Sequence, residues 1–378
     1  MNDPRGRESL QQEQRSRAAH DMKYGGILRI DCTHVGRRVT GIERITQEMF
    51  NARVLPDIPI QKFNAPKGRI FVVAAQMIAL PIYLLLHPHD IFVFPGFPPS
   101  PVMGLTRERC VLYIHDLFLL TRRRDLNLAG KLYLAPLFAF AVRHLKYFFV
   151  NSENTGHALR NFCRQDAQIM LYRPHIRNIF DLSVGNRAER SIDPAILRVV
   201  AIGTVEPRKN YLAAANICAA IARQRGRPVE LNVIGRQGWG SDWGELSKLP
   251  NVILHGALRD EQAREVIEAA DIFICSSHDE GLGLPLLEVQ HGGLPTVAPD
   301  LDIFREGLGT AGIYVDPDNP EQAASIIIKA CVGANWRQRH ATAAVGNLRR
   351  WNRLAAVDHD QVLSFLRQLL VKTSGSRL

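Results

Sequence analysis

The chain has 378 residues, 46% of them hydrophobic and 22% charged, with a formal net charge of +10. That length exceeds one ordinary hydrophobic core, so two domains are expected, and the composition is that of a soluble globular protein. No two of the six cysteines lie close enough for a zinc knuckle or a CxxC redox pair, which excludes both chemistries and fits a reducing cytosol.

The basic excess favours an anionic partner: a nucleotide, a phospholipid surface, a lipid diphosphate or nucleic acid. Residues 1–23 are polar and charged, carry no secretory signal pattern, and read as a frayed or disordered arm. The first strand is expected at Ile27–Cys32, followed by a basic loop and a helix beginning near Gly41. The apolar run Ile70–Leu86 falls just short of a membrane span and contains Gln76 and Pro81. It is read as a buried or membrane-surface helix.

Further short, β-branched or aromatic runs at Asp90–Pro95, Cys110–His115 and Tyr147–Asn151 predict buried strands separated by helix-length sequence. A polar stretch near 181–195 places a domain junction there, dividing the chain into residues 24–190 and 191–378. The alternation restarts with Leu197–Ile202, Val229–Ile234, Val252–His255, Asp271–Cys275 and Pro295–Ala298. Two doubly wound α/β domains in tandem follow, and their ligand sites belong in the loops that leave the carboxyl ends of the strands.

Two segments occupy such loops. Gly203-Thr204-Val205-Glu206-Pro207-Arg208-Lys209-Asn210 follows the first strand of the second half. Its glycine permits close backbone approach, and Arg208 and Lys209 set two cations at a helix start, a cradle for a diphosphate. A solvated basic turn is the alternative reading. Glu280-Gly281-Leu282-Gly283-Leu284-Pro285-Leu286-Leu287-Glu288 follows strand 271–275. A helix beginning near Pro285 would hold Glu288 in its first turn, able to accept ribose hydroxyls, with the amides of Gly283 and Leu284 at the helix mouth.

The Glu-x7-Glu segment, with Ser276-Ser277 before it and His291-Gly292-Gly293-Leu294-Pro295 after it, resembles the hallmark of the family-four retaining glycosyltransferases of GT-B fold. Leu282 stands where that family usually has Phe. The segment GTVEPRKN resembles the family's basic diphosphate loop. The resemblance is firm over about residues 197–320 and looser in the N-terminal half.

It implies an α/β fold of two Rossmann-like domains facing across a cleft, with the acceptor side in residues 24–190 and the nucleotide sugar in residues 191–378. The final helix could pack back on the first domain. Arg208 and Lys209 would stabilise the departing diphosphate, Glu280 would lie near the donor sugar, and Glu288 would bind ribose. Gly203 and the amides of Gly281, Leu282, Gly283 and Leu284 would line the donor. Gly41, in Thr40-Gly41-Ile42-Glu43-Arg44, would face the phosphates, and His115 would lie on the acceptor side of the sugar. A structural histidine is the alternative for His115.

Asp300-Leu301-Asp302 spells DxD, the metal motif of a different transferase fold, but matches an ordinary loop of this family. No metal or other cofactor is expected, because basic residues can neutralise the leaving group. The resemblance points to mannose from GDP-mannose, with UDP-sugars as the alternative, and to a lipid-linked oligosaccharide or polysaccharide acceptor. An anionic membrane surface is a further expected partner, through residues 70–86 and Arg122-Arg123-Arg124. Solvated surface charge is the competing reading of those basic residues. No nucleic-acid module is visible, so nucleic acid is not an expected partner. The expected location is cytoplasmic, peripheral to the inner face of the cell membrane. The rival classes are a nicotinamide-dependent oxidoreductase, disfavoured by the missing G-x-G-x-x-G fingerprint, and a non-catalytic nucleotide binder.

Overall fold

The computed structural model describes residues 24–36, 41–122, 126, 128, 130–185 and 195–374. The N-terminal arm, Thr40, Arg123, Arg124 and the junction drawn at 190/191 lie outside the described residues. The chain divides into two compact units, Met1–Pro174 with Ala355–Leu378, and His175–Leu354.

In the first unit six parallel strands form one sheet in the order β2-β1-β3-β4-β5-β6. They span Leu28–Asp31 (β1), Ile60–Phe63 (β2), Ile91–Phe94 (β3), Cys110–Ile114 (β4), Tyr147–Val150 (β5) and Gln168–Leu171 (β6). The four inner strands are buried at every residue; β3, β4 and β5 read as continuous apolar runs in sequence, while β1 alternates Leu28 and Ile30 with buried Arg29 and Asp31. The edge strands β2 and β6 are half-exposed and carry Gln and Lys, so periodicity does not reveal them. One face of the sheet is covered by Leu80, Leu84, Met103, Phe138 and Val142, which pack on Phe92, Phe94, Leu112 and Phe148.

The second unit repeats the plan with β7 (Leu197–Ile202), β8 (Val229–Ile234), β9 (Val252–Gly256), β10 (Ile272–Ile274), β11 (Thr296–Pro299) and β12 (Gly312–Val315). Their order is β12-β11-β10-β7-β8-β9, all parallel. Side chains alternate between two cores, as strand geometry requires. Leu197, Val199, Ala201, Ile272 and Ile274 enter one, while Val200, Phe273 and Ala298 enter the other. The order reverses between β7 and β10. That pair is the topological switch point, where the loops on either side diverge and leave room for a ligand.

The division at Pro174/His175 precedes the expected junction because two apolar anchors in the polar connection belong to the second unit. Ile176 and Leu182 are buried in its core, and the Ile176 amide donates to Asn352 Oδ1 at 2.8 Å. The last helix, Trp336–Ser374, spans 39 residues. Its Trp351 is buried in the second unit. Beyond Ala355 it belongs to the first, where Arg173 pairs with Asp358 at 2.9 Å, both nearly fully buried, and the Phe365 ring lies edge-on to Tyr147.

Candidate active site at the second unit's switch point

The loop after β7 begins at Gly203, whose φ of +145° lies in the region that favours glycine. A Cβ there would sit 3.0 Å from the Tyr211 hydroxyl and 3.2 Å from Lys209 Cε, so the missing side chain leaves room for the lysine stem. Pro207 starts a single 3₁₀ turn, Pro207–Lys209, and Asn210 then takes a left-handed conformation ahead of the helix Tyr211–Arg225. This abrupt turn sets Arg208 and Lys209 over the end of β10.

There they meet Glu280. Arg208 Nη1 donates to Glu280 Oε2 at 3.0 Å and to the Asp279 carbonyl at 2.9 Å, while its Nη2 donates to Glu206 Oε1 at 2.9 Å. Lys209 Nζ donates to Glu280 Oε1, which also accepts from Ser277 Oγ at 2.8 Å. The two loops are laced further by Ser276 Oγ donating to the Lys209 carbonyl and by the His278 amide donating to the Arg208 carbonyl. Burial by itself would raise the Glu280 carboxyl. Lys209 and Arg208, with the hydrogen bonds from Lys209 and Ser277, outweigh it and bring the group down to about 2. Burial would lower the Arg208 guanidinium, but Glu280 and Glu206 hold it above its usual value.

The network holds two cations and two carboxylates, so it is near neutral as a whole. The recess bounded by Lys209, Ser277, Glu280 and Gly283 is only about 10 Å³, room for one water. It is a closed ionic floor. A larger ligand would have to lie over it and exchange some of its contacts for the ligand's own.

Past Glu280, Gly283 turns left-handed at φ +72° and the helix Leu284–Glu288 begins. Leu282, Leu286 and Leu287 are buried in the core facing that side of the sheet, anchoring the turn. The helix begins at Leu284, next to the expected Pro285, and Glu288 is its fifth residue. The α-helix is five residues long and tightens into a 3₁₀ turn at Val289–Gly292, so Glu288 closes it and is buried. Gly281 and Leu284 are partly exposed. Asp300 is held by Arg305 and Asp302 opens the helix Asp302–Leu308, so the DxD residues serve local structure.

The expected residues of the first unit are placed separately. Gly41 is the first residue of the helix Gly41–Met49, directly after the undescribed residues 37–40. His115 follows β4, and its Nε2 lies 2.7 Å from the Pro95 carbonyl. A carbonyl only accepts, so Nε2 carries the proton and Nδ1 is left as an acceptor. Burial holds the imidazole at about 4, despite the Pro95 bond, so it is neutral at physiological pH.

Sequence reasoning gave no role to Glu206, Ser277 or Asn210. Glu206 was signalled by its place two residues before Arg208 inside a basic loop. Ser277 has no such signal, because its role depends on a fold that brings it back to Glu280.

Residues 196–331 match the family model described as "Glycosyl transferases group 1". The O-antigen chain mannosyltransferase B of Escherichia coli is 28% identical over 142 residues, 36% of this chain and 37% of that protein. A D-inositol 3-phosphate glycosyltransferase of Segniliparus rotundus is 27% identical over 184 residues, 46% of this chain and 40% of that protein. The matched stretch therefore spans well under half the length of these relatives. Among solved structures, WaaG, a glycosyltransferase involved in lipopolysaccharide biosynthesis, is similar with a TM-score of 0.62 at 16% identity, covering 90% of this chain and 99% of that one. Anabaena Alr3699/HepE in complex with UDP gives 0.63 at 17% identity, covering 91% and 100%. At such identities the likeness establishes the fold, two Rossmann-like units of GT-B type. The Gly203–Asn210 loop and the Glu280–Glu288 turn both lie inside the residues of the second unit that match the group 1 model.

Proposed function

We propose that the chain is a retaining glycosyltransferase that moves mannose from GDP-mannose to a hydroxyl of a lipid-linked or polysaccharide acceptor in surface polysaccharide assembly. The observation that carries the transferase reading is the Arg208–Lys209–Glu280 network at the switch point of a group 1 domain. The mannose assignment is supported by the mannosyltransferase names of the E. coli relatives. A second reading, a UDP-sugar donor, is supported by the solved structures that hold UDP or UDP-glucose.

In the proposed reaction the bond from the anomeric carbon to the diphosphate oxygen breaks, and a bond to the acceptor oxygen forms on the same face. The acceptor proton passes to the leaving phosphate oxygen, so no protein nucleophile is required. Arg208 and Lys209 release part of their hold on Glu280 to neutralise the charge growing on the diphosphate, with no metal needed. Glu280 keeps both cations ordered before the donor arrives.

A thermal-shift panel of nucleotide sugars with the full chain tests the donor. The melting temperature is expected to rise with GDP-mannose and GDP and to be unmoved by UDP-sugars. A rise with UDP-sugars alone would replace mannose transfer by the second reading, and no rise with any nucleotide would remove the transferase assignment.

A further inference from the structure

The helix Arg69–Leu86 is long and apolar enough, by length and composition, to cross a membrane, with a mean hydropathy of 2.0. Its two faces differ. Val72, Ala75, Leu80 and Leu84 are buried, Leu80 and Leu84 in the core that packs on the first unit's sheet. Gln76, in a π-helical turn at Ala75–Ala79, donates to Thr33 Oγ1 at 3.3 Å and accepts from the Tyr133 hydroxyl at 2.9 Å. The other face presents Ile70 (82% exposed), Phe71, Ile78, Ile82, Leu85 (69%) and Leu86 (69%). Soluble domains rarely leave so many large apolar side chains together in water.

The patch extends beyond one helix. The Tyr133–Gln76 bond brings the turn Gly130–Leu134 alongside, and its Leu132 is 77% exposed. Contacts with the short helix Pro101–Leu105 add exposed Val102 and Leu105 beside the far end.

Around the helix and the Gly130–Leu134 turn the flanking charge is positive, and Glu108, near Leu105, is paired with Lys146 and Lys372. No Asp or Glu occurs between Asp57 and Asp90, or between residues 126 and 152, while Lys67, Arg69 and Lys131 are exposed beside the apolar side chains. An apolar face flanked by Lys67, Arg69 and Lys131 matches an anionic bilayer, whose headgroups attract the cations while its acyl region receives the side chains. A second copy of the chain would bring the same cations against themselves.

We infer that this face lies in the plane of an anionic phospholipid bilayer, with the helix seated at the interface and not spanning it. Spanning would strip Leu80 and Leu84 from the core and break the Gln76 bonds to Thr33 and Tyr133. The inference is independent of the transferase reading, since it rests on the first unit's surface and is read without turnover.

The test is flotation of the full chain with vesicles of phosphatidylcholine alone or mixed with phosphatidylglycerol. Binding to the mixed vesicles is expected to be at least about tenfold tighter, because each basic residue at the surface contributes severalfold. The variant Ile78→Glu with Leu85→Glu is expected to lose binding by about tenfold or more, since both side chains leave the acyl region. Lys67→Glu with Arg69→Glu is expected to abolish the preference for anionic lipid. All four positions are exposed, and unchanged melting temperatures check that the fold persists. A tryptophan introduced as Leu85→Trp adds a depth reading: quenching by lipids brominated near the headgroup is expected to exceed quenching by lipids brominated at the chain ends. Equal binding to both vesicle types, undiminished binding of the Ile78→Glu/Leu85→Glu variant, or stronger quenching at the chain ends would each overturn the proposal. So would absence of vesicle binding in a chain that self-associates and is returned to monomer by the same substitutions.

Discussion

Glu280 sits between two cations and beside a serine hydroxyl, and its chemistry follows from that company. Burial raises a carboxyl, but Lys209 and Arg208 reverse the direction and leave it at about 2, against an ordinary 4.5. A group depressed in the folded state stabilises the fold once ionised, above the unfolded value, and the contribution is lost as pH falls through the folded value. The second unit is therefore expected to lose stability between about pH 4.5 and 2. The variant Glu280→Gln is expected to show a flatter profile across that window, as read by urea unfolding; parallel profiles would place the ion pairs outside the stability of the domain. At this scale Arg208, Lys209 and Glu280 were legible because their residue types sit directly after buried strands. That they bind one another was not legible, since the two loops are about seventy residues apart and meet only through the pairing of β7 with β10.

The elements most visible in sequence are inner strands such as β3, β4 and β5, whose complete burial favours apolar side chains at every position. The strands β2, β6 and β12 were missed, and each lies at a sheet edge with one side free for polar residues. The segment from Gly235 to Gly240 is tied to the candidate site. Gln237 bridges to Val205, and the Val205 amide donates to the Arg236 carbonyl at 3.0 Å. Gly235 makes this possible, since a Cβ there would lie 1.9 Å from the Gly203 carbonyl oxygen. Gly235→Ala is expected to push the Gly203–Asn210 loop outward, costing about 2 kcal/mol or more by chemical denaturation. It is also expected to weaken nucleotide binding. Unchanged stability and binding would mean that the loop accommodates the methyl group without moving.

In the molecule as a whole, two domains were legible from length and from the restart of strand–helix alternation, while their boundary was not. Ile176 and Leu182 commit the polar connection to the second unit, and the last helix returns residues 355–374 to the first. That return is fastened by Arg173 and Asp358, and a buried ion pair that loses one member typically costs about 3–5 kcal/mol. Asp358→Ala is expected to destabilise the first unit by about that much in a urea titration followed by circular dichroism, and a change below about 1 kcal/mol would show that the pair contributes little. Under the proposed function, the cations at the switch point of the segment matching the group 1 model would stabilise a leaving nucleoside diphosphate. This role is tested most directly by release of GDP from GDP-mannose, comparing the unaltered chain with Arg208→Ala and Lys209→Ala at saturating donor. Each substitution is expected to lower turnover by about 10²–10³-fold while leaving the melting temperature of the first unit in place. Turnover of both variants within a few-fold of the unaltered chain would contradict the account.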